Sequence, residues 1–163
     1  MTAKDVIRKL FNSSDTILTT YLNDLSDADP LLRPVPGSNH IAWQLGHLIN
    51  SEQSLLKYIP GTTPIELPSG WAEKYSADSS RAESTTGFLS KADYLTLYQK
   101  SRANAVKNLD QYPESDLDKP TTGRLASIAP THGQMFVLIA NHPLMHVGQF
   151  VVVRRKLGKP IVI

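Results

Sequence analysis

The sequence predicts an all-α fold, a four-helix bundle. Four stretches carry helical apolar periodicity, turn-rich segments separate them, and a length of 163 residues suits a single domain over 1–163. With 40% hydrophobic and 20% charged residues, the chain can bury a core and is neither disordered nor collagen-like.

The first helix is expected from about residue 4 to residue 25. Val6, Leu10, Ile17, Tyr21 and Leu25 recur at three- to four-residue steps, with Ile7, Leu18 and Leu22 beside them. Pro30, Pro34, Pro36 and Gly37 make residues 24–37 a loop. The second helix starts at Ser38 or Asn39, either of which can cap it, and runs to residue 59, before Pro60-Gly61. Its stripe is Ile41, Leu45, Leu48, Leu55 and Ile59, with Glu52 in the middle. Residues 60–90 form a connection longer than the ~12–15 residues usual in a compact domain. It reads either as a lid or pocket wall or as a packed surface loop.

Ser90 caps the third helix, with Asp93 completing a partial capping box. Tyr94, Leu97, Tyr98, Ala105 and Leu109 form its apolar side, and Tyr112-Pro113 ends it. The fourth helix starts after Thr131 and stops at Gly158-Lys159-Pro160. Pro143, in its middle, removes a backbone donor and is expected to kink it. Arg154, Arg155 and Lys156 occupy the last turn, where cations favour the helix dipole.

Composition excludes several chemistries. The chain has no cysteine, which removes disulfides, thiolate zinc sites, iron–sulfur clusters and a cysteine nucleophile. Its five histidines leave His and carboxylate as the ligands for any transition metal. A formal net charge of +2 gives no field for nucleic acid, so no nucleic-acid partner is expected. The start of the chain lacks the apolar region of a secretory signal, and no window approaches 18 apolar residues. A cytoplasmic location without a membrane partner is the expectation.

On the fourth helix, His142 and His146 are one turn apart, about 5–6 Å at Cβ, and project from one face. Gln149 is three further on and lies on the same face. Spacing alone leaves a shared metal ion and a hydrogen-bonded core pair both open, and a metal needs a third ligand from another helix. His47, well inside the second helix, is the candidate. His40 and His132, at helix starts, read as surface or capping residues.

The stretch His40-Ile41-Ala42-Trp43-Gln44-Leu45-Gly46-His47-Leu48, followed by Glu52, resembles the second helix of the DinB-like family: a Trp, then His-Leu four residues on, then a Glu. His142-Pro143-Leu144-Met145-His146-Val147-Gly148-Gln149, followed by Arg154, Arg155 and Gly158-Lys159-Pro160, resembles that family's His-x3-His-x-Gly-Gln signature. The resemblance implies a bundle of up-down-down-up topology. It implies a divalent metal, often zinc or nickel, on His47, His142 and His146, with open positions suited to catalysis. Gln149 and Glu52 match family positions near the site. Glu52 is five residues from His47 and on another face, so its carboxylate either accepts from an imidazole N–H or bonds a neighbouring helix. Trp43, Trp71 and Tyr75 are candidate pocket walls. Pro143 departs from ideal helix geometry between the two histidines and puts that of His142 in question.

Relatives include S-transferases that use low-molecular-weight thiols such as bacillithiol or mycothiol, a maleylpyruvate isomerase and proposed metal hydrolases. The resemblance therefore implies a metal-dependent thiol S-transferase acting on electrophilic small molecules. The alternatives are a metal-dependent hydrolase or a non-catalytic metal-binding stress-response bundle, and homodimers are common in the family. No separate nucleophile or general base is assigned. With no cysteine in the chain, any thiol must arrive as a cosubstrate.

Overall fold

The computed structural model describes residues 1–81 and 84–162. Among the described residues five α-helices form: α1 (Ala3–Leu22), α2 (Ile41–Leu56), the short α3 (Trp71–Lys74), α4 (Lys91–Gln111) and α5 (His132–Lys156). Among the described residues there is no strand, only one isolated bridge between Pro120 and Thr131. In the 60–90 connection, Ala82 and Glu83 lie outside the described residues, as does Ile163.

Local chemistry starts each long helix. Thr2 and Asp5 form a reciprocal capping box on α1, as Thr131 and Gln134 do on α5. Ser90 accepts from the Asp93 N–H at the start of α4. The α2 cap is His40 rather than Ser38 or Asn39: its Nδ1 accepts from the Trp43 N–H at 3.0 Å. His40 is not a surface residue but fully buried, with its ring edge-on to Phe88. His132 is buried too, its Nδ1 2.6 Å from the Tyr112 hydroxyl. At the far end of α5, Gly158 takes φ 69°, and Gly158 and Lys159 donate back to the carbonyls of Arg155 and Arg154. That pairing satisfies carbonyls the helix end would leave bare, and the left-handed backbone favours glycine.

α1 contacts α5 and α4, and α2 also contacts both, so the four long helices close a ring. The buried line of α1 is Ile7, Phe11, Ser14, Leu18, Tyr21 and Leu22, and Val6 is exposed. The stripe is thus turned slightly from the expected Val6–Leu10 line, because α4 and α5 both press on that face.

Two apolar clusters fill the interior. One gathers Leu18, Leu22, Leu45, Ile49, Tyr94, Phe150 and their neighbours. The other gathers Ile7, Phe11, Leu56, Leu109, Met135 and Phe136. A polar layer separates them, centred on Arg102, which is 2% exposed. Its guanidinium donates to Asp15 at 2.6 Å, Glu52 at 2.8 Å and Ser14 at 2.7 Å. It also donates to the Ile139 carbonyl at 3.1 Å. Pro143 has no N–H to bond that carbonyl four residues back. Arg102 supplies the missing donor, and α5 continues through the proline.

α5 corrects the expectation that no window approaches a membrane span. It is the one described helix long and apolar enough to cross a membrane, with an 18-residue window of mean hydropathy 1.5. In the bundle, Phe136, Ile139, Phe150 and Val153 of this helix are buried against the other helices. Arg154 also departs from the expected helix-end role. It is buried, donates to Asp24 and to the Tyr21 carbonyl, and so ties α5 to the end of α1.

Candidate metal centre

The seam between α2 and α5 brings His47, His142 and His146 together. One candidate ligand atom from each lies within 4.8 Å of the others. The His142 and His146 Nε2 atoms are 3.2 Å apart. Ring centroids stand 5.5 Å apart for His47–His142, 5.3 Å for His47–His146 and 4.9 Å for His142–His146. The proline between the two α5 histidines does not prevent their rings from converging.

Hydrogen bonds fix which nitrogen is free. The His47 Nδ1 lies 3.3 Å from the Tyr75 carbonyl, which can only accept, so Nδ1 carries the proton. The His146 Nδ1 lies 2.9 Å from the Gln44 side-chain oxygen, which is likewise an acceptor. Gln44 is held in that orientation because its amide nitrogen donates to the Asn39 carbonyl at 3.0 Å. In both rings the lone pair is therefore on Nε2. Burial keeps the rings neutral: it pushes the His142 pKa down to about 4 and that of His146 to about 3, helped by the neighbouring imidazoles. The His47 pKa is lowered by burial as well.

This donor set fits a divalent ion. Metal-binding imidazoles are neutral and usually donate the other N–H to a carbonyl or carboxylate. Two nitrogens on one tetrahedral ion stand about 3.4 Å apart, given metal–nitrogen bonds of about 2.0–2.1 Å. The His142–His146 pair already matches, and His47 has to close by at most about 1.4 Å.

The other expected site residues fall in different places. Trp43 stacks on His47, with ring centroids 4.9 Å apart and planes at 11°, and its indole N–H donates to Ser79. Tyr75 and Trp71 come from the 60–90 connection and press on α2 at Gly46. A β-carbon there would sit 2.1 Å from the Tyr75 ring, so only glycine admits this approach. The Trp71 indole N–H donates to the Gly46 carbonyl at 3.1 Å. Tyr75 therefore does more than form a wall, since its carbonyl holds His47.

Glu52 is buried and makes its hydrogen bonds to α4, from the Ser101 hydroxyl at 2.5 Å and the Arg102 guanidinium at 2.8 Å. Burial raises its pKa while Arg102 and Ser101 oppose that shift. Of the two readings of its carboxylate, the structure favours the bond to a neighbouring helix. Gln149 is exposed on the outside of α5, so it is not the glutamine that orients a site histidine.

Gln44 and Ser51 are the site residues the sequence reading missed. Ser51 places its hydroxyl 3.2 Å from the His47 Nε2. Their spacing was a usable signal: three before and four after His47 is the same side of a helix. No comparable signal pointed to the Tyr75 carbonyl.

Among solved structures, the chain is similar to one titled as the conserved protein of locus from Enterococcus faecalis. The two are 19% identical, with a TM-score of 0.78, over 98% of this chain and 99% of that one. At that identity the likeness shows the fold alone. A comparison with curated proteins gives no match. The sequence profile of the DinB superfamily matches residues 11–150, and the chain belongs to that superfamily.

Proposed function

We propose that this chain binds one divalent metal ion through His47, His142 and His146. On that reading it is a metal-dependent enzyme, a thiol S-transferase acting on electrophilic small molecules. The observation that carries the reading is the convergence of three neutral imidazoles from two helices, two with their lone pairs fixed on Nε2.

A zinc or nickel ion held there supplies a Lewis acid that makes a bound thiol more acidic and so more nucleophilic. The chain's own residues prepare the place. Gln44 and the Tyr75 carbonyl hold the His146 and His47 rings by their Nδ1 protons. Trp43, flat against His47, restricts the orientation of that ring and shields it from water. With no cysteine in the sequence, the sulfur comes from a low-molecular-weight thiol.

The same reading takes the long helices as up-down-down-up and the protein as cytoplasmic. Arg102 bonds the Phe11 and Ala140 carbonyls while Arg154 bonds that of Tyr21, which supports α1 and α5 running in one sense. Lys91 reaching the Leu22 carbonyl and Arg8 reaching Asp110 supports α4 running opposite to α1.

Element analysis of untagged protein tests the site: about one divalent ion per chain is expected, released in His146→Ala. Full retention in that variant refutes the ligand set. Turnover of model electrophiles with a panel of small thiols tests the reaction. A fully loaded protein that turns over none of them refutes the transferase assignment.

A further inference from the structure

The hydroxyl of Ser51 stands 3.2 Å from the His47 Nε2, and neither the proposed ligand set nor the proposed reaction uses it. Roles in this contact are settled by the other side of the ring. The Tyr75 carbonyl takes the Nδ1 proton, so Nε2 offers a lone pair and the serine donates to it. Ser51 is one helical turn beyond His47 on α2, and both side chains are only partly buried. The lone pair that would bind a metal is therefore already engaged by a donor from the same helix.

We propose that Ser51 is a positioning residue that competes with the metal for the His47 lone pair, lowering metal affinity and easing exchange at the site. This rests on the metal reading above. A metal–nitrogen bond of about 2.0–2.1 Å cannot form along that lone pair while a hydroxyl donates to it from 3.2 Å. The hydroxyl must turn away, and its hydrogen bond is the cost of loading. In the metal-free protein the same bond, together with the Tyr75 carbonyl, holds the imidazole in the tautomer that binding requires.

The test is a competition titration of chelator-stripped protein with Co²⁺, read by visible absorbance, on wild type, Ser51→Ala and Ser51→Thr. Losing one neutral hydrogen bond is expected to tighten Co²⁺ binding about 2- to 13-fold in Ser51→Ala. Ser51→Thr, which keeps a hydroxyl, is expected to stay near wild type. Unchanged affinity in Ser51→Ala overturns the inference. Weakened affinity also overturns it, since that marks Ser51 as a ligand rather than a competitor.

A second measurement separates this failure from failure of the metal reading. In metal-free protein, the ¹⁵N resonance of the His47 Nε2 is expected to move toward that of a free lone pair in Ser51→Ala. If wild type takes up no metal but the resonance moves, the metal reading fails and the hydrogen bond stands. If wild type loads and the resonance does not move, the Ser51 proposal fails alone.

Discussion

Gly46→Ala is the most informative single substitution. An alanine β-carbon would lie 2.1–2.4 Å from three atoms of the Tyr75 ring, whereas carbon atoms rest about 3.5–4.0 Å apart. The ring must retreat by roughly 1.5 Å. It is 1% exposed and its hydroxyl is bonded to that of Tyr94, so little room exists. Overpacking of this kind costs about 1–3 kcal/mol, and loss of the tyrosine pair adds about 0.5–1.5 kcal/mol. Replacing a mid-helix glycine by alanine returns about 0.8–1.0 kcal/mol of helix propensity. The net expectation is destabilisation by about 0.5–3.7 kcal/mol. Because the Tyr75 carbonyl orients His47, metal affinity is also expected to fall, by about 10- to 100-fold. Gly148→Ala is the control: it is a helical glycine with nothing within 4 Å of its added β-carbon, so only the propensity gain remains. Urea unfolding and metal titration of both variants decide the matter. Equal effects of the two substitutions, or unchanged metal binding in Gly46→Ala, would refute the packing argument.

Gln44→Leu removes the acceptor that holds the His146 Nδ1, and a drop in metal affinity of about 10- to 100-fold is expected by isothermal titration. Arg102→Leu strips Glu52 of its buried counter-charge and leaves the Ile139 carbonyl without its donor; unfolding free energy is expected to fall by about 3–5 kcal/mol in urea melts. In metal-free protein the His40 and His142 pKa values are held down to about 4 by burial. The unfolded chain therefore takes up protons below about pH 6.5 that the folded chain refuses until near pH 4. Stability is expected to be flat above about pH 7.5 and to fall through that window, each histidine costing at most about 3 kcal/mol at pH 4. Unfolding midpoints that stay constant from pH 7 to 4.5 would contradict the buried neutral state of these rings.

Local features of the fold were legible. Ser90, Thr131, Gly158 and the Tyr112-Pro113 break all act within one helical turn, where sequence neighbours are also spatial neighbours. The His142–His146 pair was legible for the same reason. Readings failed where a second element intervenes. Arg154 suits a solvated helix end by composition, yet α1 brings Asp24 and the Tyr21 carbonyl over it and buries it. Gln149 fits the linear motif, yet it lies exposed on α5, and the glutamine that reaches His146 is Gln44 from α2. Val6 fits a periodic stripe, yet two neighbouring helices turn α1 away from it.

The sequence by itself determined an all-helical chain, the starts of α4 at Ser90 and of α5 at Thr131, the stop of α5 at Gly158, the absence of any thiol, and two histidines on one turn of one helix. These follow from backbone capping and the helical repeat, which need no partner. It ran α1 and α2 on to residues 25 and 59, where they end at Leu22 and Leu56. Only the tertiary structure decided which nitrogen of His47 and His146 is free and which groups hold those rings. It alone also showed that Arg102 repairs the backbone at Pro143. Those outcomes depend on how far each helix is rotated about its axis and on what a distant segment lays against it. A hydrogen bond between helices is set by tenths of an ångström that no residue's own neighbours encode.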